Sequence, residues 1–286
     1  MLEMFEMEFM QRAWLAGLIM AFICPLIGSF LVLRRQSLIG DGLGHIAFAG
    51  VAGGALGGFS SVLSAAVATI LGAWAIERVR VCLADASEMV LAIFFYSGMG
   101  LAVIFTSLNT DGGLNLSSIL FGSLMTVSSR DLLIVALLGL CTVIFVIVFY
   151  KPLQYITFDE TSAKVAGLPV ERLNLLLALL TALTVALSMR IVGLLLVSAM
   201  LVIPAACALQ TARSFAGTIL QSIAYGLLTV IIGLPVSYYA NLAPGGTIVL
   251  TGTILFLVSI PLGRCSAKRL PPPVHTACTK CGKEHI

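Results

Sequence analysis

Nine apolar runs, each about 17 to 25 residues long and parted by short polar joints, constrain this 286-residue chain more than any other feature. They fall at 13–33, 42–58, 60–77, 87–107, 131–150, 172–188, 191–209, 215–239 and 244–262. The hydrocarbon core of a bilayer is about 30 Å thick, and ~20 residues of helix cross it. Backbone polar groups at that depth must be satisfied within the protein, and a helix does this with its own bonds. The expected fold is therefore an all-α polytopic membrane protein. The second and third runs are short and meet at Gly57-Gly58-Phe59-Ser60, which suits either a hairpin or one broken helix. The sixth and seventh meet with as little room at Ser188-Met189-Arg190. Eight or nine spans satisfy the pattern, and nine is the expected number.

Composition agrees. Only 10% of residues are charged and 59% are hydrophobic, whereas a soluble domain is about 25% charged. The net charge of +3 gives no reason to invoke nucleic acid. Glu3, Glu6 and Glu8 near the start are the reverse of a basic signal-peptide region. Seven cysteines are scattered, four of them (Cys24, Cys82, Cys141, Cys207) in or beside apolar runs, so no disulfide framework is expected.

Basic residues orient the chain, because cytoplasmic loops collect Lys and Arg. With the N-terminus outside, 13 of the 16 basic residues fall on inner segments, leaving Arg12, Arg130 and Arg190 outside. The C-terminus is then cytoplasmic. Residues 1–263 read as the transmembrane domain and 264–286 as a cytoplasmic tail. Between runs four and five, Asn109 to Gly113 reads as a turn and Ser117 to Leu124 as a short interfacial helix.

The stretch with most chemistry is Arg34-Arg35-Gln36-Ser37-Leu38-Ile39-Gly40-Asp41-Gly42-Leu43-Gly44-His45. Asp41 and His45 are four residues apart, on one helix face about a turn apart. Two ionisable groups opening a membrane span are costly unless they have partners or a task. An aspartate there also serves as a helix cap and a histidine as a hydrogen-bonding group. As a pair, carboxylate and imidazole suit a divalent transition metal, and two ligands fit a path better than a storage site. In run seven, Pro204 interrupts the helix ladder, and Cys207 offers a soft ligand or an inert buried thiol.

The longest inner loop runs from Lys151 to Pro169. Thr157 with Glu160 three residues on reads as a helix start, and Gly167-Leu168-Pro169 as its stop. A short helix across the cytoplasmic face is a docking knob for a soluble partner. The tail ends His275-Thr-Ala-Cys278-Thr-Lys-Cys281-Gly-Lys-Glu-His285, four nitrogen and sulfur ligands at zinc-compatible spacing. A metal-binding or metal-sensing role is expected there. No G-x4-G-K-[ST] loop exists, and none of the five lysines is followed by Ser or Thr, so the chain is not itself an ATPase.

Several stretches together resemble the membrane subunit of ABC-type zinc/manganese importers. They are Pro25 to Arg35, Gly40-Asp41-x3-His45, Gly50-Val51-Ala52, Leu120-Phe121-Gly122, Phe158-Asp159 to Gly167, Val192 to Leu195 with Ile203-Pro204-Ala205-Ala206, and Pro244-Gly245-Gly246. They occur in one order from about residue 13 to 262, and the likeness is nearer to zinc permeases than to manganese ones. The resemblance implies a multi-pass permease of a bacterial cytoplasmic (inner) membrane. It would pair with a second copy or a paralogue, dock on a separate cytoplasmic ATP-binding subunit, and be fed by an external metal-binding protein. It implies that Asp41 and His45 touch the ion, and that Glu88 stands where an acidic residue is usual. It implies docking on the ATPase through the 156–169 segment, which contains Phe158, Asp159, Glu160 and Gly167. Cys207 departs from the threonine usual at its position, and the tail lies outside the pattern. The expected function is import of a divalent metal, zinc ahead of manganese or iron, with no permanently bound cofactor apart from any zinc in the tail. An ion-coupled secondary transporter is the alternative. A membrane enzyme working on a bound metal lacks a further base or nucleophile at membrane depth.

Overall fold

A computed structural model describes residues 8–83, 86–108, 120, 122, 128–240 and 242–267, with side chains described from residue 11 to 263. The expected tail ligands His275, Cys278, Cys281 and His285 lie outside the described residues, as does most of the 108–130 segment. Eleven helices form the described part: α1 (Glu8–Leu33), α2 (Ile39–Leu56), α3 (Ser61–Cys82), α4 (Ser87–Leu108), α5 (Ser129–Val148), α6 (Tyr150–Phe158), α7 (Glu160–Val165), α8 (Val170–Val192), α9 (Leu194–Thr211), α10 (Phe215–Ala240) and α11 (Pro244–Ala267). Nine of them, all but α6 and α7, are long and apolar enough to cross a membrane.

Close approaches at glycines fix the order of packing. A Cβ at Gly54 would meet Ser64, one at Gly50 would meet Ala65 and Ala68, and one at Gly72 would meet Ile46. Residue numbers fall on one helix as they rise on the other, so α2 and α3 form an antiparallel hairpin, not a broken helix. Against α4, Gly42 meets Leu91 and Phe95, Gly98 meets His45 and Ile46, and Gly53 meets Phe105. These numbers rise together, so α2 and α4 are parallel, as two spans separated by a third must be.

The spans divide into an inner set and an outer set. About 72% of the α1 window and 61% of the α8 window are buried, against 22% for α4 and α5. The outer helices present leucine, isoleucine and valine to their surroundings, including Leu133, Leu137, Ile144 and Ile147 of α5. That is the arrangement expected when the solvent is lipid. At the centre, Gly28 of α1 lies against the backbone carbonyl of Leu201 on α9, leaving no room for any Cβ. Pro25 interrupts α1, and the Ser222 hydroxyl of α10 donates to the Pro25 carbonyl at 3.1 Å. This bond ties α1 to α10 at the level of the proline.

Two expected boundaries move. Run three continues as helix to Cys82, because Arg80 and Glu77 pair on one face at 2.6 and 3.0 Å and carry the helix beyond the apolar residues. Runs six and seven are separated by one residue, Gly193, at φ 91°. A left-handed backbone there favours glycine and lets the chain reverse in minimal length.

Candidate metal pathway

Helix α2 starts at Ile39, three residues before its apolar run, and this puts Asp41 in the first turn. A carboxylate there faces the positive end of the helix dipole. Three sides of α2 are packed. Gly40 and Gly44 lie under Leu201 and Leu194 of α9, Gly42 and the His45 backbone face α4, and Ile46 and Gly50 face α3. Asp41 and His45 occupy the side between α9 and α4, and both are half-buried.

The His45 ring meets the Phe95 ring of α4 edge-on, centroids 4.8 Å apart at 86°. Its Nδ1 is buried and has no hydrogen-bond partner. On α9, Ser198 lies four residues after Leu194 and three before Leu201, so it shares their face toward α2. Ser198 is 7% exposed, and its hydroxyl is also without a partner. That is unlike other hydroxyls within the spans. Thr69, Thr142, Thr181, Thr184 and Thr229 each donate to a carbonyl one turn back, at 2.7–2.9 Å. Buried polar atoms are ordinarily paired; two unpaired ones on facing helices mark this level of the bundle. Imidazole nitrogen, carboxylate oxygen and hydroxyl oxygen together are donors of the kind divalent first-row metals accept. Among the described residues, no group of three or more His, Cys, Asp or Glu is placed to hold an ion.

Glu88 lies in the first turn of α4, exposed, seven residues before Phe95 and on the same stripe of that helix. Cys207 is not brought to this face. It follows Ser198 by nine residues, half a turn out of phase. It is buried in the bundle, where the nearby Ser259 hydroxyl of α11 donates to its own Phe256 carbonyl at 2.7 Å. Sequence reasoning passed over Ser198, whose only signal was its helical phase relative to Gly40 and Gly44.

The Lys151–Pro169 loop folds as two helices, not one. Asp159 breaks them at φ −150° and ψ 98° and caps α7, accepting from the Ser162 backbone N–H at 2.9 Å and from the Ser162 hydroxyl. These bonds hold the Asp159 carboxyl below its usual range. The expected cap, Thr157, is inside α6. Its hydroxyl donates to the Leu153 carbonyl at 2.6 Å and accepts from Arg34 at 3.0 Å. The stop forms as expected: Gly167 is at φ 79°, its N–H donates to the Lys164 carbonyl, and the Leu168 N–H donates to the Ala163 carbonyl, both at 3.1 Å. This is the glycine termination of a helix. Phe158, 69% exposed, rests its ring against Phe215 at the start of α10.

Beneath these helices lies a charge cluster. Arg34 donates to Thr157, to the Asn174 side chain of α8 at 2.7 Å and to the Leu153 carbonyl at 3.2 Å. Burial, reinforced by Arg80, lowers its guanidinium to about 10 while Glu160 and Glu77 oppose the shift, and it stays protonated at neutral pH. Arg80 pairs with buried Glu77 and reaches Glu160 of α7 at 3.8 Å.

Among the described residues, nine helices long and apolar enough to cross a membrane surround a half-buried histidine and aspartate, with a short helix pair at one end. The chain belongs to the ABC 3 transport family, whose model matches residues 6–263. It is similar to a protein of Treponema pallidum described as a probable metal transport system membrane protein, 33% identical over 93% of this chain and 100% of that one. It is also similar to the manganese transport system membrane protein MntC of Listeria monocytogenes, at 32% identity over 89% and 90% of the two chains. The chelated iron transport system membrane protein YfeC of Yersinia pestis is 31% identical over 96% and 97%. Among solved structures, PsaBC from Streptococcus pneumoniae in complex with Fab matches with a TM-score of 0.78, 31% identity and coverage of 90% of this chain and 92% of that one. The chain is thus a multi-pass ABC-type metal permease, a transport subunit without catalytic activity of its own.

Proposed function

We propose that this permease imports a divalent transition metal along a path that Asp41 and His45 line, with Ser198 opposite and Glu88 at the mouth. The observation that carries the reading is the buried, unpartnered Nδ1 of His45 on the same face as Asp41. Two permease copies, or this chain and a paralogue, enclose the path, with the N-terminus outside. An external metal-binding protein delivers the ion. A cytoplasmic ATP-binding subunit docks on α6 and α7, where Phe158, Asp159, Glu160 and Gly167 shape the exposed surface. ATP binding then alternates inward and outward openings.

Manganese or iron is the cargo supported best, because named relatives carry those metals and the donors facing the path are oxygen and nitrogen. Zinc is the second reading, favoured by the His275, Cys278, Cys281 and His285 spacing in the tail. The test is reconstitution in vesicles with the ATP-binding subunit and the binding protein, comparing manganese, iron and zinc with and without ATP. ATP-dependent uptake in the order manganese or iron over zinc is expected. Zinc-selective uptake would reassign the cargo, and uptake indifferent to ATP would replace the reading with an ion-coupled transporter.

A further inference from the structure

The hairpin that carries Asp41 and His45 is gripped at both of its ends nearest α6 and α7. On the α2 side, Arg34 is seven residues ahead of Asp41 and binds two points on α6 and one on α8. The chain between is a tight turn. Arg35 takes a left-handed φ of 56°, and the Gln36 N–H returns to the Leu31 carbonyl at 2.8 Å. On the α3 side, Arg80 is locked to Glu77 and extends to Glu160, the first residue of α7. The two grips differ in kind. Arg34 makes three directed bonds to groups packed inside the bundle, whereas the Arg80–Glu160 contact is longer, and Glu160 is 38% exposed. Between α6 and α7 the extended residue Asp159 leaves α7 a separate rigid piece.

We infer that Arg34 and Arg80 are the positioning residues that carry movement of α6 and α7 to the α2–α3 hairpin, and through it to Asp41 and His45. The inference rests on the import reading above. Arg34 is the fixed joint, holding the start of α2 in register with α6 and α8. The Arg80–Glu160 pair is the working joint, formed or released as α7 shifts under its partner. Displacement of α3 passes directly to the ion-facing residues, because Ile46, next to His45, rests on Gly72 of α3. A planar guanidinium suits both positions: it can hold several acceptors at fixed angles, which an ammonium cannot.

The test is the number of metal ions moved per ATP hydrolysed by the complete reconstituted transporter. Arg34→Lys keeps the charge and loses the fork; Glu160→Gln releases α7 while leaving Glu77–Arg80 paired. Both are expected to lower the ratio by roughly five- to tenfold, the scale of one coupling contact between sites. Arg172→Gln, an exposed change at the start of α8 and outside α6 and α7, is expected to leave it unchanged. An unchanged ratio in Glu160→Gln overturns the inference, and so does an equal loss in Arg172→Gln, which would make the effect one of surface charge. If Arg34→Lys does not accumulate, Glu160→Gln carries the test alone, since its site is half-exposed. Wild-type protein without ATP-dependent uptake would refute the import reading instead, a result separable from either.

Discussion

Replacing Ser198 with alanine should make the protein more stable and a worse transporter. The Ser198 hydroxyl is buried without a hydrogen-bond partner in a side chain only 7% exposed. A buried polar group left unpaired costs about 1–3 kcal/mol, which its deletion returns. The void left by one oxygen is smaller than a methyl group and takes back less than ~1 kcal/mol. The net gain is therefore above zero and at most about 3 kcal/mol, a rise of up to several degrees in Tm. Transport moves the other way. If the hydroxyl faces the passing ion, losing about 1.4 kcal/mol of contact slows uptake roughly tenfold. The assay is paired: thermal unfolding of the permease in lipid nanodiscs, and metal uptake in vesicles at matched protein. A variant that is less stable would show that the hydroxyl is paired in the folded state. A variant that is more stable yet transports normally would remove Ser198 from the path.

Further expectations follow from single contacts. Gly28→Ala places a methyl onto the Leu201 carbonyl and should cost about 1–3 kcal/mol or more of α1–α9 packing, seen as lost accumulation of folded protein. The Asp159 cap has a definite pH sign. Its folded-state pKa is depressed, so its contribution is present above the usual carboxylate range and disappears as pH falls through that lowered value. The protection factor of the Ser162 amide, which is the exchange rate corrected for its intrinsic pH dependence, should therefore fall on acidification, and Asp159→Asn should flatten that fall. Phe95→Ala removes the ring against His45 and should lower uptake while leaving nine-span insertion intact, read by surface labelling of loop cysteines. Truncation after Leu270 removes the tail ligands and should alter uptake across a range of zinc concentrations if the tail senses metal; unchanged curves would make it passive.

The spans were legible in the sequence because hydrophobic length is a one-dimensional signal, and membrane solvation leaves few alternatives to helix. The shared helix face of Asp41 and His45 was legible for a related reason: ionisable groups at the edge of an apolar run stand out, and a four-residue spacing puts them about a turn apart. The joints were not. Arg34 meets Leu153, Thr157 and Asn174 across 119 to 140 residues, and nothing local distinguishes it from Arg35, which is exposed. The cap on α7 was misplaced by two residues because both Thr157 and Asp159 are competent capping groups. Only the break in the chain at Asp159 decides between them. Cys207 drew notice as a ligand type, but which face of α9 looks toward α2 depends on the Gly40–Leu201 and Gly44–Leu194 contacts.

The most direct test of the ion path is a double-mutant cycle on metal uptake, with Asp41→Asn, His45→Ala and the pair, each reconstituted with wild-type ATP-binding and metal-binding partners. The account predicts that each single change abolishes most uptake and that the double change is little worse, because the two side chains act as one unit. Uptake that survives the loss of both would contradict it.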